Sequence, residues 1–335
     1  MKSAKIMPKF SAEKFMSKTN LVLEAQLLYA GIELDIFKDL NEPITSQDLA
    51  IKKGFHKRNL ELLLNALTSI DYLKKENNKF SNLPETNYYL NSENEMYLGE
   101  HILYWRDMTS LENIVEKVKN GPIDKKFQDE NGSDFFDFRS MGQGSRNTMY
   151  LGRVQAFINQ IEKIFDKNQE FKVLDMGGGT GILSIEIARN FKGARGVVFD
   201  QASVINLTDE IIKEYNMQNQ IKTKVGNFVT DEFNEKYDLI IATGVLDFVG
   251  DLDKMVKKLY GSLSDDGYIY VGTHGLNKER TAPKRFILGW LSSHLDGLDI
   301  LKPDLQVKES FLNGGFEIVN QNENGLNYIV KKCGR

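Results

Sequence analysis

The chain has 335 residues, 41% hydrophobic and 27% charged, with a net charge of −4. That balance excludes a disordered chain, leaves room for two domains, and offers no electrostatic footprint for nucleic acid or an anionic membrane. One cysteine, Cys333, rules out an intrachain disulfide and points to a reducing compartment. No apolar run approaches membrane-spanning length, and the opening Met1-Lys-Ser-Ala-Lys-Ile-Met-Pro lacks a signal-peptide core, so a cytoplasmic protein is expected.

From the front, residues 11–40 carry apolar side chains at helical spacing, among them Leu21, Ala25, Leu28, Ile36 and Phe37. Two further helices follow, the first capped by Ser46 with Asp48 in its opening turn, the second covering 59–70. Lys74–Phe80 is then a polar turn between two short extended pieces, so the order is helix, turn, helix, hairpin: a winged helix. His56, Lys57 and Arg58 would open a DNA-reading helix, but Leu60, Leu62, Leu63, Leu64, Leu67 and Ile70 make that helix apolar nearly all round. A reading helix needs one wet face, so packing and dimerisation are the expected role. Asn91–Asn120 is expected to be helical, with Trp105 either core or pocket wall, and Gly121-Pro122 with Lys125–Ser133 to be a linker or lid-like loop.

Residues 171–181, Phe-Lys-Val-Leu-Asp-Met-Gly-Gly-Gly-Thr-Gly, are a strand running into a glycine turn, and a helix-forming segment follows. Glycines there let a ligand lie against bare backbone, and the helix start offers free N–H groups. The spacing Gly177-x-Gly179-x-Gly181 departs from the dinucleotide fingerprint, whose last glycine is replaced by Ile182. Asp175 before the turn suits a ligand with a cationic amino-acid end, and Asp200, closing the next apolar strand, suits ribose hydroxyls. These features, with Gly178 between them, resemble motif I of the class I S-adenosylmethionine-dependent methyltransferases. Strands are expected at 171–175, 196–200, 221–225, 238–242, 267–272, 316–320 and 327–331, alternating with helices as in a Rossmann-like doubly wound α/β sheet. Ligands then belong at the strand C-termini, where Gln201, Gly226, Asn227 and Phe228 fall; the last two read as adenine contacts, or Phe228 as core.

The winged-helix front, Leu174-Asp-Met-Gly-Gly-Gly-Thr-Gly, Val198-Phe-Asp, Gly226-Asn-Phe and Gly314-Gly-Phe together resemble the S-adenosylmethionine-dependent O-methyltransferase family of bacterial natural-product and plant phenol enzymes. The resemblance covers nearly the whole chain. It implies a dimerisation domain at 1–120, a connecting stretch at 121–145 and a seven-stranded methyltransferase domain at 146–335. It also implies a homodimer, a small-molecule acceptor, methyl transfer to oxygen, and no metal, because a protein group takes the hydroxyl proton. Members often contact the methionine end of the cofactor from the helix before the first strand, which by position is Met149 and Arg153.

In that family a histidine usually follows the fourth strand. Here the segment is Val245-Leu-Asp-Phe-Val-Gly-Asp, with Asp247 in its place. A carboxylate of ordinary pKa, about 4, is a poor base toward a phenol of about 10. One strand later His274 stands at or within a residue of the usual acidic partner, so an exchanged dyad is expected, His274 as base and Asp247 orienting it. The alternative is catalysis by proximity alone. Phe286, Trp290, His294 and Leu298 form a helical stripe that reads as an acceptor lid or as core, with His294 a second base candidate. Transfer to nitrogen or carbon, and cofactor binding without methyl transfer, stay open as alternatives.

Overall fold

The computed structural model describes residues 9–122, 137–298, 301–323 and 325–334. The expected loop at 125–133 lies outside the described residues. The chain divides into two compact units, Met1–Leu103 and Tyr104–Arg335.

In the first unit α1 (Glu13–Glu33) precedes the two-residue strand β1 (Ile44–Thr45), α2 (Ser46–Lys53), α3 (Lys57–Ser69), the hairpin β2 (Leu73–Glu76) and β3 (Lys79–Asn82), and α4 (Pro84–Leu90). The three strands pair antiparallel in the order β1-β3-β2. The hairpin turns on Asn77 and Asn78, both at positive φ (48° and 61°), the two-residue geometry that matches strand twist. A fully buried Phe80 packs with Ile36, Phe37, Leu49 and Leu64. Two expectations are corrected here. The cap of α2 is Thr45, not Ser46: Thr45 has extended backbone (ψ 153°), which aims its hydroxyl at the Asp48 N–H 3.1 Å away. And α3 is amphipathic rather than apolar all round, because burial is confined to Leu60, Leu64 and Leu67 while Leu62 is 53% exposed. On α1, Phe15, Met16, Leu21, Val22 and Leu23 are exposed.

The stretch expected to be helical over 91–120 holds two helices, α5 (Gly99–Met108) and α6 (Ile114–Asn120). The second unit continues with α7 (Phe138–Ser145), α8 (Arg153–Ile161), β4 (Phe171–Met176), α9 (Ile182–Asn190), β5 (Ala194–Asp200), α10 (Ala202–Glu214), β6 (Ile221–Val225), β7 (Tyr237–Thr243), α11 (Leu252–Ser262), β8 (Leu263–Gly272), α12 (Lys284–Leu295), α13 (Asp304–Asn313), β9 (Phe316–Gln321) and β10 (Asn327–Lys332). All seven expected strands are present, in one sheet of order β6-β5-β4-β7-β8-β10-β9. The first five are parallel, and β10 runs antiparallel to both its neighbours.

Helices cover both faces of this sheet, which explains why its central strands are apolar at successive positions rather than alternate ones. In β7, Leu239 and Ile241 face the layer of α8, α9 and α10, while Ile240 and Ala242 face that of α11 and α13; all four are fully buried. The strand order reverses beside β4, so the C-terminal ends of β4 and β5 open onto a crevice. No helix among the described residues is long and apolar enough to cross a membrane.

Candidate functional site

A cavity of about 310 Å³ lies at those strand ends. Its floor is the turn after β4. Gly177 has φ +63°, and a Cβ there would run into Val245 Cγ1; Gly179 has φ +56°, and a Cβ there would point into open space. The glycines therefore serve two purposes, close packing behind the turn and bare backbone in front of it. Gly177, Gly178 and Gly179 line the cavity; Gly181 lies behind it, opening α9 at φ +70° against Thr208 and Val198.

Two carboxylates bracket the turn. Asp200 accepts from the Gly179 N–H at 2.9 Å and the Gln201 N–H at 2.8 Å. Burial pushes its carboxyl up from the ordinary range, and those two donors act against that rise. Asp175 is buried and accepts from the Ser184 hydroxyl at 2.9 Å. Burial raises its carboxyl to about 7, with the nearby Asp200 charge adding and Ser184 and Arg153 opposing.

Gln201, Gly226, Asn227, Phe228, Met149 and Arg153 also line the cavity. Asn227 is partly committed: its Oδ1 accepts from the Val229 N–H at 2.8 Å, which leaves the side-chain amide as a donor. Arg153 is the first residue of α8, and it has neither a hydrogen bond nor an ion pair among the described residues. Its side chain is accessible within the cavity but hemmed in by protein, and that desolvation holds its guanidinium below its usual range.

On the far side stand Asp247 and His274. Asp247 lies in a short 3-10 turn after β7, and His274 follows β8; because β7 and β8 are parallel neighbours, both residues emerge at the same sheet end. His274 Nδ1 is 2.5 Å from Asp247 Oδ2, which also accepts from the His274 backbone N–H at 3.3 Å. The Asp247 side chain is fully buried, and its Oδ1 has no partner among the described residues, so the imidazole is its principal ligand. The His274 ring is caged edge-on by Phe248, Phe286 and Trp290, at centroid distances of 6.2, 4.8 and 5.4 Å. With Nδ1 engaged, Nε2 is the nitrogen left for the cavity, which His274 lines. The arrangement can accept a proton at Nε2 while a carboxylate fixes the tautomer from behind.

Of the four residues read as acceptor wall, Trp290 lines the cavity. Phe286 packs behind it on His274, Trp105 packs on Gly289, and His294 lies one helical turn beyond Trp290. Lining residues that the sequence reading passed over are Phe138, Met141, Gly142 and Ser145 of α7, Thr180, Leu183 and Val204, Thr243 at the end of β7, and Gly244, Val245 and Phe248 after it. The last group was accessible from the rule that ligands sit at strand C-termini, with Gly244 (φ +68°) as its turn signal. Nothing in the local pattern of α7 marks it as a cavity wall.

The methyltransferase-domain family model matches residues 149–319. An uncharacterised protein of Methanocaldococcus jannaschii is 25% identical over 72% of this chain and 64% of its own length. The 3-hydroxy-5-methyl-1-naphthoate 3-O-methyltransferase of Streptomyces sahachiroi is 25% identical over 67% of this chain and 65% of its own. The chain thus spans less than two thirds of the length of these two relatives. Among solved structures, human N-acetylserotonin methyltransferase shares the fold, with a TM-score of 0.78 at 20% identity, covering 98% of this chain and 100% of that one. An O-methyltransferase family protein of Burkholderia thailandensis does so at a TM-score of 0.79 and 14% identity, over 98% and 99%. With the family match spanning more than half its length, on the unit that holds the glycine turn and both carboxylates, this chain belongs to the methyltransferase-domain family.

Proposed function

We propose that this protein transfers a methyl group from S-adenosylmethionine to a hydroxyl of a small aromatic acceptor, with a protein base rather than a metal-bound hydroxide. The observation that carries this reading is the His274–Asp247 pair, 2.5 Å apart, on the same cavity as the glycine turn and Asp200. The residues fit the cofactor. Asp200 takes the ribose hydroxyls, Asp175 the ammonium, and Arg153, otherwise unpaired, the carboxylate. Phe228 and Asn227 line the same cavity and would hold the adenine, the ring by stacking and the side-chain amide as a donor to its edge. When bound, S-adenosylmethionine supplies an activated methyl group on a sulfonium sulfur. His274 Nε2 accepts the hydroxyl proton, and Asp247 steadies the imidazolium that results. Phe248, Trp290 and Met141 hold the acceptor ring and keep water from it.

The first unit supports a homodimer. Its helix–turn–helix and hairpin form a winged-helix module, and α1 leaves Phe15, Met16, Leu21, Val22 and Leu23 exposed, apolar surface that a second copy would cover.

Carbon-labelled methyl donor, a panel of phenols, indoles and aromatic acids, and carbon NMR of the products test the reading. A methoxy signal is expected. Label on nitrogen or ring carbon would move the assignment to another acceptor atom, and tight cofactor binding with no labelled product would overturn methyl transfer.

Cofactor affinity should also depend on pH. An ammonium pairs with ionised Asp175, whose carboxyl titrates near 7, so the competent form is full above that pH and is lost as pH falls through it. Below pH 7 the affinity for S-adenosylhomocysteine is expected to drop about tenfold per unit. Calorimetry from pH 8 to 5.5 checks this, with Asp175→Asn expected to flatten the dependence.

A further inference from the structure

The helix α7 forms one wall of the cavity and has little of its own to keep it helical. It is eight residues long and carries two glycines, Gly142 and Gly144, inside it. A helix that short is marginal in water, and each interior glycine costs about 1 kcal/mol relative to alanine. Phe138, Met141, Gly142 and Ser145 of α7 nevertheless line the cavity, as does Met149 in the 3-10 turn Asn147–Tyr150 that follows. Tertiary contact therefore holds this wall in place.

The contacts run to α10. Arg139 Nη2 lies 3.2 Å from Glu210 Oε2, and Arg146 donates to both oxygens of Glu214, at 2.9 and 2.5 Å. Glu210 and Glu214 are four residues apart, so they share one face of α10. The Arg146 guanidinium also lies over the Tyr215 ring, 5.2 Å from its centroid. Between the two bridges α7 comes close: a Cβ on Gly142 would stand 3.3 Å from Leu207 Cδ2 of α10 and 3.6 Å from Thr180 Cγ2. α10 is itself tied to the glycine turn, because the Thr208 hydroxyl donates to the Gly179 carbonyl at 2.6 Å. Arg146 occupies the junction, ending α7 and opening the 3-10 turn, with Ser145 before it and Met149 three residues on. Resting on the cofactor site proposed above, we propose that Arg146 and Glu214 are its latch. Arg146 is a positioning residue: it holds Ser145 and Met149 closed on the methyl donor, and the spent cofactor leaves when the pair opens. A planar guanidinium suits this task, since its fork fixes orientation through two parallel N–H bonds to one carboxylate. Glu214 is 58% exposed, so water screens the pair and it opens at modest cost.

The test measures the dissociation rate of S-adenosylhomocysteine by stopped-flow displacement. It compares the wild type, Arg146→Gln, Glu214→Gln, and the charge swap that combines Arg146→Glu with Glu214→Arg. Each single variant should release the ligand about 3- to 10-fold faster, the range of a bidentate pair near the surface. The swap should recover most of the slow release, which a role in packing alone would not allow. Raising salt to about 1 M should bring the wild-type rate toward that of Arg146→Gln and barely move the variant, because only the wild type has a pair to screen. Release rates unchanged in the single variants, or a swap that releases as fast as they do, would overturn the latch. So would a salt response equal in wild type and Arg146→Gln. Slow, latch-dependent release from a protein that methylates no acceptor would leave the latch standing and overturn only the proposed reaction. Failure of the wild type to bind S-adenosylhomocysteine would overturn the cofactor site and the latch together.

Discussion

His274→Gln is expected to lower kcat by about 10²- to 10⁴-fold, the usual contribution of a positioned general base, with little change in cofactor affinity. Glutamine nearly preserves the volume inside the Phe248–Phe286–Trp290 cage, so the loss reports proton transfer rather than collapse. Asp247→Asn should cost less but in the same direction. A neutral amide no longer stabilises the imidazolium, and its NH₂ group can present a donor to Nδ1, which favours the wrong tautomer. Rates under saturating methyl donor, for both variants and for the pair combined, check this; a double variant no worse than His274→Gln alone shows that the two act as a unit.

Asp200→Ala should weaken binding of S-adenosylhomocysteine by about 10²-fold. Asp200 holds the turn through the Gly179 N–H and the Gln201 N–H, so its removal takes away the acceptor that sets the glycine backbone together with the carboxylate proposed for the ribose. A charge-assisted hydrogen bond contributes about 1.5–3 kcal/mol, and two lost together exceed the tenfold scale. Calorimetric titration measures the effect directly. An unchanged affinity would mean that Asp200 is only a structural acceptor for the turn.

The sheet was legible because its signal is physical and local. Val173-Leu174 and Leu239-Ile240-Ile241-Ala242 are apolar on consecutive positions, and only strands buried on both faces need that. The glycine turn was legible because Gly177, Gly179 and Gly181 have positive φ, a backbone demand that leaves a mark in sequence. The His274–Asp247 pairing was legible through topology: two parallel neighbouring strands deliver their next residues to one place.

Other features were not local. Whether Thr45 or Ser46 caps α2 depends on which residue has extended backbone, and the strand β1 decides that. Leu62 of α3 looks like core by composition and is exposed because the packing partners lie on the Leu60–Leu64–Leu67 face. Within the helical stretch expected over 91–120, the gap between Met108 and Ile114 contains neither Gly nor Pro to announce it. Trp105 and His294 have the right chemistry for an acceptor wall, but helical aromatic stripes do not reveal which side faces a cavity. The α7 wall comes from tertiary contact alone.

The most direct measurement is single-turnover methyl transfer to a series of phenols of graded acidity, in the wild type and in His274→Gln. If His274 is the base, the variant should lose about 10²-fold or more with weakly acidic phenols. That loss should shrink steadily as the phenol ionises by itself. A loss that stays constant across the series, or no loss at all, would contradict the assignment of His274 and Asp247 as the proton-accepting pair.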